Sequence, residues 1–186
     1  DLVYACWLTR KEASSTFNAP HNHISQNARL RVNDQDLKNR KSLGLTPAWR
    51  LNIKNCLKYI NSQKEKIYWE DIKQGKNLLN LDQFGDVIIA RKDILTSYHL
   101  SVTVDDNSDG VTHIIRGNDL ESYTNIHRLL QVLLNLRETK WFHHKLVKDT
   151  NGKRIAKRSN SKLTIKELRK NGYSAKEVIK LAKSSI

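Results

Sequence analysis

The stretch Val111-Thr112-His113-Ile114-Ile115-Arg116-Gly117-Asn118-Asp119-Leu120 marks a change of apolar period, and that change decides the fold. Val111-Thr112-His113-Ile114-Ile115 is a short β-branched run, which predicts a strand. From about residue 119 to 135 the spacing is helical, with Ile126, Leu129, Leu130, Leu133, Leu134 and Leu136 forming one wide apolar face. Trp141-Phe142-His143-His144-Lys145-Leu146-Val147 is again short and apolar-rich, a second strand. Strand, helix and strand in this order predict a parallel pair joined by a right-handed crossover, and so an α/β fold.

Upstream, Val87-Ile88-Ile89-Ala90 and Tyr98-His99-Leu100-Ser101-Val102-Thr103-Val104 read as two more strands, with Asp105-Asp106-Asn107-Ser108-Asp109-Gly110 as the turn that follows. Trp49, Leu51 and Ile53 alternate with polar residues, as do Ile67 and Trp69 around Tyr68. Two half-buried strands are expected near 48–54 and 66–70, paired with each other. Residues 18–45 lose periodicity and fill with Asn, Gln, His, Arg and Lys, which predicts an exposed insertion with little structure. Near the N-terminus a short strand leads into Thr9-Arg10-Lys11-Glu12, whose capping-box spacing predicts a helix from about 10 to 17. Two further boxes, Thr164…Glu167 and Ser174…Glu177, with Gly172 placed to end the first helix, predict two closing helices.

At 186 residues the chain suits one ordinary domain, with or without a small appendage, and its net charge of +14 makes a polyanion, nucleic acid first, the expected partner. No run approaches the roughly 18 apolar residues of a membrane span, and two cysteines, Cys6 and Cys56, make no disulfide framework, which suits a reducing, cytoplasmic setting. The sequence contains no Met and opens Asp1-Leu2-Val3-Tyr4, from which an N-terminally truncated protein is expected.

Two constellations can carry chemistry. Lys153, Arg154, Lys157 and Arg158 follow the turn Asp149-Thr150-Asn151-Gly152, where cations and main-chain amides can converge on phosphate; the alternative is a solvated basic turn. Tyr98 and Arg116, each placed at a strand end, suit a carboxylate, with Gly117 allowing close approach of backbone to a ligand; the alternative is an ion pair of Arg116 with Asp105, Asp106 or Asp119. His143 and His144 fall on opposite faces of a strand and cannot share one ion.

Three segments occur in linked order: Tyr98-His99-Leu100-Ser101-Val102-Thr103-Val104-Asp105-Asp106, Gly110 through Leu120, and Gly152-Lys153-Arg154-Ile155-Ala156-Lys157-Arg158. Together they resemble the class I glutamyl-tRNA synthetase family. Leu2-Val3-Tyr4-Ala5-Cys6, Thr9-Arg10, Ala19-Pro20-His21 and Pro47-Ala48-Trp49-Arg50-Leu51 extend the resemblance over most of the chain, except about 22–45 and 55–65. Only residues 158–186 follow Lys157, too few for an anticodon-binding domain, so within the family the chain is expected to resemble the short glutamyl-Q tRNA(Asp) synthetase branch.

The resemblance implies the C-terminal part of a Rossmann-type catalytic domain, with a small strand-containing insertion and two C-terminal helices. Residues 1–95 would be the insertion and connective region, 96–150 the second Rossmann half, and 151–186 a degenerate Lys-Met-Ser-Lys-Ser loop with the helices. The implied activity is ATP-dependent activation of glutamate and its transfer to queuosine of tRNA(Asp). Tyr98 and Arg116 would bind glutamate, Lys157 would be the catalytic cation, and Lys157, Arg154 and Arg158 would hold ATP with magnesium. Ala156 stands where the family has a serine.

The family's His-Ile-Gly-His motif has no counterpart here, so the fragment alone is expected to be inactive. Its zinc-binding cysteines are also missing, since Leu8 follows Trp7 where a second Cys would stand. Zinc is therefore not expected, and a substitute site of Cys6, His21 and His23 is the weaker option. A monomer without membrane association is expected. The alternatives are a truncated discriminating glutamyl-tRNA synthetase and a noncatalytic basic RNA-binding remnant.

Overall fold

The computed structural model describes residues 1–9, 12, 32–63, 65–148 and 164–184. Its strands are β1 (Val3–Cys6), β2 (Ala48–Leu51), β3 (Tyr68–Asp71), β4 (Gly75–Leu78), β5 (Val87–Ala90), β6 (His113–Gly117) and β7 (Lys140–His144). Its helices are α1 (Asp34–Ser42), α2 (Ile53–Ser62), α3 (Tyr98–Ser108), α4 (Thr124–Leu133), α5 (Ile165–Lys170) and α6 (Ala175–Ser184), with a 3-10 turn at Asn118–Leu120.

The strand–helix–strand unit forms as the apolar period requires. β6 and β7 are parallel, in register from His113 opposite Lys140 to Gly117 opposite His144, and α4 lies between them in sequence. On α4, Ile126, Leu129 and Leu130 occupy i, i+3 and i+4 and are all buried. They close a core with Leu51, Ile53, Cys56, Ile60, Leu81 and Phe84, each such aliphatic or aromatic side chain contributing about 1.5–3 kcal/mol on burial.

β7 also pairs in parallel with β3, which pairs antiparallel with β4, giving the order β4-β3-β7-β6. This sheet therefore draws strands from both sides of residue 95. A separate antiparallel sheet has the order β1-β2-β5.

Three expectations are corrected here. Residues 98–104 are not a strand but the start of helix α3. The Ser97 side chain accepts the Leu100 amide as N-cap, and Thr103 Oγ1 donates to the His99 carbonyl one turn back, so this β-branched residue sits in a helix with its hydroxyl satisfied. The 105–110 turn signal is the last turn of that helix and its cap. Gly110 takes φ +72°, its amide reaches the Asn107 carbonyl, and Val111 N reaches the Asp106 carbonyl, a Schellman arrangement.

The strands near 48–54 and 66–70 do not pair, because β2 and β3 belong to different sheets. Asn52 ends the first of them by accepting the Asn55 amide and opening α2, which buries Ile53, Cys56 and Ile60.

The 18–45 insertion contains α1. Asn33 caps it through the Asp36 amide, Asp34 and Asp36 lie in its first turn and Arg40 and Lys41 in its last, matching the helix dipole. Arg40 donates to the Trp7 carbonyl at 2.6 Å and pairs with Glu12 at 2.5 Å. The Thr9–Glu12 box is formed in both directions, although the helix expected over 10–17 otherwise lies outside the described residues.

The C-terminal helices α5 and α6 are as expected, with the Ser174–Glu177 box closed and Gly172 at φ +84° between them. Cys6 and Cys56 are both buried and free, and burial pushes the Cys56 thiol up to about 12. Among the described residues no helix is long and apolar enough to cross a membrane.

Candidate functional site

The sheet register sets Arg116 beside His143, because these residues are direct partners on β6 and β7. One strand further, β3 ends at Asp71, which pairs in register with Trp141. Over the ends of these strands lie the first turn of α4, carrying Thr124 and His127, and the first turn of α3, carrying Tyr98 and His99.

Arg116 ties these elements together. Its Nε donates to His143 Nε2 at 3.2 Å, its Nη2 to Thr124 Oγ1 at 2.5 Å, and its Nη1 faces His127 Nδ1 at 2.9 Å. A guanidinium only donates, so His143 Nε2 and His127 Nδ1 must both offer lone pairs. Both imidazoles are then neutral, with the proton on the opposite nitrogen. For His143 that nitrogen is Nδ1, 2.7 Å from Asp71 Oδ2. For His127 it is Nε2, 3.0 Å from His99 Nδ1.

Electrostatics agree with this assignment. His127 is held well below its ordinary value, by burial first and then by the neighbouring Arg116 charge and by His99. Burial works to raise Asp71, but His143 and the amides of Gln74, Lys73 and His143 outweigh it and hold the carboxyl below its usual range. Arg116 is lowered by burial, opposed by Tyr98 and by the Asp106 and Asp119 charges. The hydrogen bonds that Arg116 makes in its network therefore end on neutral acceptors: two imidazoles and a hydroxyl. A half-buried guanidinium arranged in this way still has donors to offer, which is the chemistry of an oxyanion receptor.

Tyr98 and Arg116, both singled out from sequence, are brought together. The Tyr98 ring lies edge-on to His127 at 5.9 Å between centroids, and its hydroxyl interacts with the Arg116 guanidinium. Tyr98 stands at a helix N-terminus, not at a strand end, and about half its surface is exposed. A Cβ at Gly117 would come within 2.9 Å of Leu146 Cδ2 and 2.5 Å of Asp119 Oδ1, so the close approach that this glycine permits is to neighbouring side chains.

Lys157, Arg154 and Arg158 lie outside the described residues, as do His21 and His23. Among the described residues no three His, Cys, Asp or Glu side chains cluster as metal ligands. His143 is buried against Asp71 while His144 is half-exposed and turned to the Lys145 carbonyl, the alternation expected of a strand.

Sequence reasoning missed Asp71, His99, Thr124, His127 and His143 as members of the site. His99 adjoins Tyr98 in a segment already quoted, and His127 follows Thr124 by three residues on a helix, so both carried a local signal. Asp71 and His143 carried none, being 72 residues apart and joined only by strand order.

The family profile for the catalytic domain of class I tRNA synthetases (E and Q) matches residues 9–183. The chain belongs to this family. A glutamyl-Q tRNA(Asp) synthetase of Rhodobacter capsulatus is 46% identical over 97 residues, covering 52% of this chain and 34% of its own. Glutamate–tRNA ligase 2 of Bartonella tribocorum is 29% identical over 94% of this chain and 39% of its own. Glutamate–tRNA ligase 1 of Brucella ovis is 28% identical over 97% of this chain and 40% of its own.

A crystal structure of a glutamate tRNA ligase from Elizabethkingia meningosepticum, in complex with its amino acid, superposes with TM-score 0.60 at 20% identity, over 93% of this chain and 34% of that one. The shared fold is the α/β catalytic domain of class I synthetases. The chain spans 34–40% of the length of these curated relatives.

Proposed function

We propose that this chain carries the glutamate-binding part of a domain that activates L-glutamate with ATP and passes it to tRNA. The observation that carries the reading is Arg116, whose network partners are neutral while Tyr98 stands beside it. An α-carboxylate or side-chain carboxylate would complete the fork with charge-assisted bonds worth roughly 1.5–3 kcal/mol each. The reaction needs no protein nucleophile, because the glutamate carboxylate attacks the α-phosphate of ATP bound with magnesium and the bond to the β-phosphate breaks, releasing pyrophosphate. Lys157 is the catalytic cation of this reading, with Arg154 and Arg158 beside it on the triphosphate.

Transfer to queuosine of tRNA(Asp) is the finer reading. It is supported by the 46% identity over 97 residues to a protein of that name. The glutamate–tRNA ligases, which match over more of this chain, support transfer to the tRNA acceptor end as the second reading. In both, the protein is a cytoplasmic monomer whose charge of +14 favours tRNA. Glutamate-dependent exchange of pyrophosphate into ATP tests activation, and charging of tRNA(Asp) with and without queuosine separates the two acceptors. Exchange without glutamate, or none from a protein that also carries the upstream half, would contradict the activation reading.

A further inference from the structure

We propose that Asp71 is a positioning residue that acts through His143, holding this imidazole in the tautomer whose Nε2 accepts from Arg116. The proposal rests on reading Arg116 as the carboxylate receptor, and it assigns a task to two side chains that touch no substrate.

Asp71 and His143 have no solvent-exposed side-chain surface, so the pair serves something other than solvation of a surface charge. Every acceptor direction of Asp71 is accounted for. Oδ1 takes the amides of Lys73 at 2.9 Å and Gln74 at 3.0 Å, and Oδ2 takes the His143 amide at 3.2 Å and His143 Nδ1 at 2.7 Å. The carboxylate is thus fixed by main chain from two directions and presents a fixed acceptor to the ring. The Trp69 ring stands edge-on to the His143 ring, 5.9 Å away, and restrains its plane. With Nδ1 committed as donor, Nε2 is an acceptor with one lone pair, aimed at Arg116 Nε at 3.2 Å and also reached by the Thr124 hydroxyl at 3.1 Å. The other tautomer would set N–H against N–H and push the guanidinium out of plane. Second-layer carboxylates that select an imidazole tautomer act in this way when the ring is a base or a metal ligand; here the ring holds a cation in position.

Three variants of the full chain separate this role from plain structural support. In Asp71→Asn the two turn amides retain the amide oxygen, the side-chain NH2 faces His143, and the ring must protonate Nε2 instead. Imidazole 15N shifts of His143 should report the switched tautomer, the Arg116 Nε–H signal should move, and the dissociation constant for L-glutamate should rise about tenfold or more. His143→Gln can reach the Nε2 position with its carbonyl oxygen, whereas His143→Asn reaches only the Nδ1 position. The Gln variant should keep glutamate affinity within a few-fold and the Asn variant should lose it.

In the Gln background, which has no tautomer for Asp71 to select, the Asp71→Asn change should leave glutamate affinity within a few-fold. An unswitched tautomer in Asp71→Asn, or an Asn variant that binds better than the Gln variant, would overturn the proposal. If Asp71→Asn fails to fold, the comparison of His143→Gln with His143→Asn decides alone. A wild-type chain that ignores glutamate would defeat the glutamate reading only, because the tautomer and the Arg116 signal still report whether Asp71 sets them.

Discussion

His143 Nδ1 lies 2.7 Å from Asp71 Oδ2, with both side chains sealed from solvent, and from this pair a line of hydrogen bonds runs through Arg116 to His127 and His99. Five elements contribute to it: β3, β7, β6, α4 and α3.

Replacing Arg116 by Ala should abolish glutamate activation in a protein that carries both halves of the catalytic domain. It should also cost about 1–3 kcal/mol of stability, since Thr124, His127 and His143 lose a shared donor. Pyrophosphate exchange and urea denaturation measure the two effects. Near-normal exchange would show that Arg116 serves the fold alone.

Stability should fall as pH drops below about 6.5. The folded state holds His127 neutral well below its ordinary value of 6.5, so between that value and the depressed one the unfolded chain binds more protons and unfolding is favoured. The groups facing His127 are Arg116 from β6, with Tyr98 and His99 from α3. Asp71 acts in a lower window: its contribution is complete above 3.8 and lost as pH falls through its depressed folded value. Urea midpoints at pH 7.5 and 5.5 should differ more for the wild type than for His127→Gln. Equal slopes would refute the burial of a neutral His127.

Ser97→Ala removes the N-cap of α3 and should cost about 1 kcal/mol, and Gly110→Ala at the other end about as much, because its φ of +72° disfavours a Cβ. Only the Ser97 change adjoins Tyr98. It should also weaken glutamate binding, whereas Gly110→Ala should leave binding intact; thermal melts and titrations of both variants check this contrast.

Lys157→Ala should lower the turnover of a protein with both catalytic halves by about two to three orders of magnitude with glutamate affinity nearly unchanged, as when one preorganised donor to a developing charge is deleted. A rise in the Michaelis constant alone would contradict a catalytic role.

How far the sequence disclosed this arrangement depended on whether the relevant signal was local. The β6–α4–β7 unit was legible because Ile126, Leu129 and Leu130 repeat at helical spacing between two short apolar runs. α3 was misread because Val102, Thr103 and Val104 favour strands in isolation, a preference overridden once Ser97 caps the helix and Thr103 bonds its own preceding turn. α1 buries no residue, so it offered no apolar period, and only its caps and charge order marked it. Tyr98 and Arg116 stood out by residue type within linked segments. Asp71 and His143 could not, since nothing but the β3-β7-β6 strand order makes them neighbours.

The claim on which the rest depends is that Arg116 receives a carboxylate, and the most direct measurement is NMR of the 15N-labelled chain, following the Arg116 Nε–H signal during titration with L-glutamate. A saturable shift with L-glutamate that is absent with a neutral diamide analogue is the predicted result. An Arg116 signal that stays in place through saturating L-glutamate, or that moves equally with the neutral analogue, would contradict the account.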